Sequence, residues 1–254
     1  VSGGEPFKLL FWLCILDIVL SAFLDNVTTM LLLAPVSIQL CDAVGRDPRP
    51  FLISLALFGN VGGTMINQVL HQRDELKAVR SLDLRIMGLA NSRKMLLTDT
   101  GISGDWKAQL AESQADSSPE AFVQAIAEMD LENSVLVDNT ASADAAEVYE
   151  QALAHSIAVV ASNKVAASDA QERYVGLKQL ALRAGVEFRF ETNVGAGLPL
   201  IDTIQHLVQS GDRIHKVEGM FSGTLNYVFS NFNGDITFKK VIEDARAAGL
   251  TEPD

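Results

Sequence analysis

Cysteine is nearly absent from this chain. Cys14 and Cys41 are the only two in 254 residues, and their spacing fits neither a metal knuckle nor a disulfide framework. So few thiols point to a reducing compartment. Basic residues are also scarce: 20 Lys and Arg stand against 32 Asp and Glu, a formal net charge of −12. A chain this acidic cannot neutralise a phosphate backbone in bulk, which excludes a nucleic-acid partner. The 4 histidines, His71, His155, His206 and His215, are scattered and gather with no Cys or Asp. They read as structural. No internal repeat, low-complexity segment or serine-nucleophile motif is present.

Apolar residues are plentiful, at 48%, enough for a sizeable core. They are unevenly placed. Phe7 to Leu24 is an apolar run whose only charges are Lys8 and Asp17, at the lower limit of the roughly 17–25 residues of a membrane-spanning helix. A signal peptide fits poorly, because no basic start precedes the run and no small-x-small cleavage site follows it. A buried helix of a soluble protein is the competing reading. Asp25-Asn26-Val27-Thr28-Thr29 comes next, then a second apolar run, Met30 to Leu40, broken by Pro35. A polar cluster between short apolar runs is the pattern of a broken membrane helix lining a protected cavity. The string Leu20 to Val36, with Asp47-Pro48-Arg49 after it, resembles the arsenite/citrate/sodium–proton group of ion transporters over residues 7–63. That resemblance implies membrane contact through residues 7–58. Met65-Ile66-Asn67-Gln68 stands where those transporters continue with Gly-Asp-Pro-Pro-Asn, so the transport site is expected to be a remnant.

From residue 53 onward the pattern changes to alternating strand and helix. Apolar strand candidates are Ile53–Phe58, Leu84–Leu89, Ser134–Val137, Ile157–Val160 and Glu187–Glu191, with helical candidates Gly63–Arg80, Pro119–Met129, Ala143–His155 and Ser168–Ala184 between them. Short connections in such an alternation predict an α/β fold with a doubly wound parallel sheet. Ala111 to Glu120 reads as a loop. Beyond Asp212 the pattern becomes α+β: a strand near Ile214–Met220, then helices at Leu225–Asn231 and Thr237–Ala248.

The first strand-to-helix turn of such a sheet is the usual phosphate cradle, with the fingerprint Gly-x-Gly-x-x-Gly. Here it reads Leu57-Phe58-Gly59-Asn60-Val61-Gly62, so Leu57 replaces the first glycine. By itself this is equally a glycine-rich turn with no ligand. Arg93 and Lys94 follow the second strand, where an acidic residue would favour a free ribose hydroxyl and basic residues can accept a 2′-phosphate. They tilt the reading toward NADP over NAD; two solvated surface charges are the plainer alternative.

Further strings are Val137-Asp138-Asn139-Thr140-Ala141-Ser142, Ala161-Ser162-Asn163-Lys164, Glu191-Thr192-Asn193-Val194-Gly195-Ala196-Gly197-Leu198-Pro199, Gly223-Thr224-Leu225-Asn226-Tyr227 and Gly249-Leu250-Thr251-Glu252-Pro253-Asp254. In this order and spacing the chain from about residue 53 to 254 resembles homoserine dehydrogenase, most of all the form fused behind aspartokinase. The resemblance implies a Rossmann-like sheet and NAD(P)-dependent reduction of aspartate semialdehyde to homoserine, in threonine and methionine biosynthesis. It also implies a cytoplasmic homo-oligomer. In the matching positions, Gly59, Asn60, Val61 and Gly62 would cradle the pyrophosphate and Thr140 would lie beside the nicotinamide. Lys164 would face cofactor and substrate as the catalytic candidate, Gly249 would approach the cofactor, and Glu252 would bind the substrate's amino group. Glu191, Val194, Ala196 and Leu198 match the family's monovalent cation site, for a cation such as sodium. A hard cation suits inward carbonyls and one carboxylate; a glycine turn packed against the sheet is the plainer reading.

The expected organisation is a membrane-transporter-like segment over 1–52, a nucleotide-binding domain over 53–211, and the start of a truncated substrate domain over 212–254. The family's further Pro-Arg-Asp-Asp segment and Ala-Arg-Lys helix do not follow, so low or no activity is expected. The alternatives are a transporter fragment and an NADP-sensing membrane fusion.

Overall fold

The computed structural model describes residues 51–56, 59–80, 82–195, 197–232 and 234–251. The apolar segments expected over 7–40 lie outside that range, as do Leu57, Ala196 and Glu252.

Among the described residues seven strands form one sheet in the order β4-β3-β2-β1-β5-β6-β7. The central strand β1 (Phe51–Ala56) pairs in parallel with β2 (Leu84–Ala90) and β5 (Ser134–Asp138). Parallel pairing continues through β6 (Ala158–Ala161) to β7 (Phe188–Arg189). At the other edge, β3 (Lys94–Leu97) and β4 (Ala115–Asp116) run antiparallel. The expected parallel sheet is corrected at that edge. Only Asn91 to Arg93 separate β2 from β3, too few residues for the crossover that parallel pairing needs. Asn91 closes the hairpin: its N–H donates to the Lys94 carbonyl, and its Oδ1 accepts from the N–H groups of Arg93 and Lys94.

The helices are α1 (Gly59–Arg80), α2 (Trp106–Glu112), α3 (Pro119–Glu128), α4 (Ala143–Glu147), α5 (Tyr149–Ala154), α6 (Val165–Ser168), α7 (Gln171–Ala184) and α8 (Ile201–Gln209). They cover both faces of the sheet. β5 is buried at every position, as a β-branched strand enclosed on two sides must be. Val135 and Val137 pack with Met65, Ile66 and Val69 of α1 and Leu110 of α2. Leu136 packs on the other side, with Phe122 and Ile126 of α3, Leu153 of α5 and Leu177 of α7. Each such buried side chain contributes roughly 1.5–3 kcal/mol.

Local chemistry fixes the helix ends. Ser118 caps α3 by accepting from the Ala121 N–H, with Pro119 in the first turn; both are favoured there. α7 stops at Gly185, whose φ of 70° is left-handed. The expected helix over 143–155 divides at Val148, between α4 and α5. The expected helix from 168 divides at Asp169 and Ala170, where the Asp169 side chain takes the Ala170 N–H and the Arg173 guanidinium. The 111–120 loop holds the end of α2 and β4.

The strand expected near Ile214–Met220 does not form. Residues 211–221 are all exposed, with no strand beside them among the described residues. An isolated strand leaves its ladder groups unpaired. Beyond it, α9 (Gly223–Asn231) and α10 (Phe238–Ala247) meet over Val228, Val241 and Ala245.

Candidate functional site

Chain order and spatial order diverge beside β1. The chain moves outward to β2 on one side, then returns to β5 on the other. At such a switch point the loops leaving the carboxyl ends of the strands part and open a crevice. The loops there follow Ala56, Ala90, Asp138 and Ala161, and they carry most of the residues singled out above.

Gly59, Asn60, Val61 and Gly62 form the first turn of α1, four residues before the expected start of that helix. The first-turn N–H groups of a helix have no partner within it, and no acidic side chain occupies this turn. Gly62 is buried. A side chain at Gly63 would reach ordinary contact with the Trp106 ring at 3.6 Å, so the space above this turn is bounded by α2. Asn139, leaving β5, donates its Nδ2 to Met65 Sδ at 3.5 Å and ties the β5 loop to the same helix.

At the end of β2 the two basic candidates separate. Lys94 Nζ is 3.0 Å from Asp116 Oδ1, across the β3–β4 pair. Arg93 stands exposed on the hairpin, its backbone fixed by Asn91.

The most connected part of the crevice is a buried polar network that sequence reasoning missed. Asp138, at the end of β5, is 1% exposed. Its Oδ1 accepts from the Thr140 N–H at 2.7 Å. Its Oδ2 accepts from Tyr149 Oη at 2.6 Å and Asn163 Nδ2 at 3.0 Å. Burial, with the nearby Asp138 carboxylate, pushes the Tyr149 hydroxyl far above its ordinary range, so it remains a proton donor. Asn163 Nδ2 also reaches Thr140 Oγ1 at 3.1 Å and the Ser142 carbonyl at 2.8 Å, while its Oδ1 takes the Val165 N–H. Asn193 Nδ2 holds the Asn163 carbonyl at 3.1 Å, and its Oδ1 is buried without a partner. One carboxylate thus joins the loops after β5 and β6, and Asn163 extends the tie to the turn after β7. Thr140 sits inside this network. Lys164, exposed, is the residue from which α6 begins. Asp138, Asn163 and Asn193 stand inside the strings quoted above but were given no role there, and Tyr149 lies outside them. A polar residue ending an apolar strand was the available signal.

Glu191 is 6% exposed. Its two oxygens accept from the N–H groups of Ile201 and Asp202, at 2.9 and 2.8 Å. The positive end of α8 therefore supplies the partner this carboxylate needs. Val194 and Leu198 are exposed on the preceding turn. Among the described residues no three His, Cys, Asp or Glu side chains gather as a metal site. Gly249 ends α10 at a φ of 70°, with its N–H donated to the Arg246 carbonyl; a helix stop accounts for the glycine.

Comparison with known proteins finds both families named above, with bounds that differ from those read in the sequence. The citrate transporter family model matches residues 1–162, and the homoserine dehydrogenase model matches residues 199–254. The chain is 41% identical over 198 residues to a chloroplastic bifunctional aspartokinase/homoserine dehydrogenase of Zea mays, covering 77% of this chain and 22% of that protein. It is 31% identical over 205 residues to a homoserine dehydrogenase of Schizosaccharomyces pombe, covering 77% of this chain and 54% of that protein. It therefore spans only part of either relative's length. A hyperthermophilic archaeal homoserine dehydrogenase in complex with NADPH matches the fold with a TM-score of 0.64 at 22% identity, over 81% of this chain and 63% of that one. A Candida auris protein of unknown function matches with a TM-score of 0.64 at 26% identity, over 80% of this chain and 57% of that one. The transporter match overlaps the sheet, and there the fold is that of the dehydrogenases. Among the described residues no helix is long and apolar enough to cross a membrane. The chain is a composite: it belongs to the citrate transporter family by the match over residues 1–162, and it carries a homoserine dehydrogenase domain by the match over residues 199–254 and the likeness to the curated relatives.

Proposed function

We propose that residues 53–211 form a nucleotide-binding domain that takes NADP(H), and that residues 212–254 belong to a substrate domain for aspartate semialdehyde and homoserine. The observation that carries this reading is the gathering of the α1 first turn, Asn139-Thr140 and Asn163-Lys164 at the carboxyl edge of β1, β5 and β6. The N–H groups of Gly59 to Gly62, which have no partner within the helix, suit a pyrophosphate. Arg93 suits a 2′-phosphate better than Lys94, whose charge is already paired with Asp116. When bound, NADPH supplies a hydride to the aldehyde carbon, and the carbonyl oxygen takes up a proton to give the alcohol. Lys164 is the chain's own candidate for stabilising that oxygen as charge develops. Glu252 is the candidate for the substrate's amino group and Gly249 for a cofactor contact. A sodium ion beside Val194, Ala196 and Leu198 would share Glu191 with the α8 N-terminus; sodium dependence of turnover tests it.

The deciding experiment titrates the chain with NADPH and NADH and follows NADPH oxidation with aspartate semialdehyde. Arg93→Ala is expected to weaken NADPH binding about tenfold, as loss of a charge-assisted hydrogen bond does, with little change for NADH. Lys94→Ala is expected to cost less. Equal losses for both cofactors would remove the argument for NADP.

A further inference from the structure

We infer that Asp138 is a positioning residue that holds the Thr140 hydroxyl as a hydrogen-bond donor to a carbonyl oxygen of a bound ligand. The inference rests on the nucleotide-binding reading above and goes beyond it by assigning what the buried carboxylate does.

The argument is a count of donors and acceptors. Thr140 Oγ1 has two polar neighbours in the protein: the Ser142 N–H at 3.1 Å and Asn163 Nδ2 at 3.1 Å. Both are donors, and neither can accept. Asn163 shares its two hydrogens among Asp138, Thr140 and the Ser142 carbonyl, and neither neighbour takes up the hydroxyl's own hydrogen, on a residue only 6% exposed. A buried hydroxyl in that state is fixed as a donor and calls for an acceptor oxygen. Asp138 creates the state. Its Oδ1 takes the Thr140 N–H and fixes that peptide, while its Oδ2 turns Asn163 Nδ2 toward Thr140. Tyr149 completes the carboxylate from the side of the core. Two bound molecules would bring a carbonyl oxygen to this crevice: the carboxamide of the nicotinamide, and the aldehyde of the substrate.

Asparagine at 138 would keep the shape but turn an NH2 toward one of these three donors, so the Thr140 loop and Asn163 would part. The test uses the full 254-residue chain in detergent, with NADPH fluorescence titration and the Kd for aspartate semialdehyde at saturating NADP+, a pair that cannot turn over. Asp138→Asn and Thr140→Val are each expected to raise one of these constants about tenfold, the scale of one buried hydrogen bond. Thr140→Ser, which restores the hydroxyl, is expected to recover most of the loss. Tyr149→Phe is expected to lower the melting temperature as much as Asp138→Asn does, with a smaller effect on either constant. A shift in the NADPH Kd assigns the acceptor to the cofactor, and a shift in the aspartate semialdehyde Kd at constant NADPH Kd assigns it to the substrate. Both constants staying within about twofold in Asp138→Asn and Thr140→Val, less than one hydrogen bond is worth, would overturn the inference alone. A wild-type chain that binds no NADPH would overturn it together with the nucleotide-binding reading.

Discussion

Single residues here are held by the groups they satisfy. Tyr149 is fully buried, and its hydroxyl has one partner, Asp138. Phenylalanine in its place leaves that carboxylate one donor short, and a loss of roughly 1–3 kcal/mol in urea unfolding is expected. Asp83 offers a pH test. The hydrogen bond from Arg85 holds its carboxyl below the ordinary value of 3.8, against opposing burial, with Lys77 adding to the effect. A folded-state value below the unfolded one gives stability that is present above the unfolded value and is lost as pH falls through the folded one. Melting temperatures measured below about pH 4 should therefore fall less steeply in Asp83→Asn than in the natural chain, because that linkage is gone. An unchanged slope would show that the pair contributes nothing. At 57, leucine stands where the fingerprint has its first glycine. Leu57→Gly is expected to tighten NADPH binding, since glycine lets backbone approach the pyrophosphate.

At the scale of elements, β2 and α3 depend on one missing side chain. A Cβ on Gly88 would come within 2.8 Å of the Phe122 ring and 2.9 Å of Leu97 Cδ2. Helix α3 lies on the sheet at a distance only glycine permits. The β1–β2 register also slips beside this point, with Ile53 opposite Ile86 and Ser54 opposite Gly88. Gly88→Ala is expected to cost about 1–3 kcal/mol by overpacking, measured as a lower denaturation midpoint at constant slope. Phe122→Leu in the same chain should recover part of that loss, and a failure to do so would place the strain elsewhere. The strand-to-helix rhythm that built this layer was legible in the sequence, because enclosed parallel strands are short apolar runs and surface helices show their period. The β3–β4 edge was not. Lys94 and Asp116 face each other there, yet the chain from Thr98 to Gln114, which contains α2, separates the two strands, and nothing local announces the pairing.

For the whole molecule, the exposed stretch over 211–221 lies between the layered sheet domain and the small α9–α10 core. Limited proteolysis is expected to cut there before it cuts within 84–190, because cleavage favours exposed chain without paired backbone. First cuts inside the sheet would argue against the proposed boundary at 211–212. The sequence by itself determined the family strings, the alternation of the five parallel strands β1, β2, β5, β6 and β7 with helices, and the residue types at the crevice. Those follow from composition, period and glycine placement along the chain. Only the tertiary structure decided that Asp138, Tyr149, Asn163 and Asn193 form one network, that Asp116 takes the charge of Lys94, and that the α8 N-terminus takes that of Glu191. Hydrogen bonds and ion pairs join residues that the fold brings within about 3 Å, and distance along the chain carries no record of that approach.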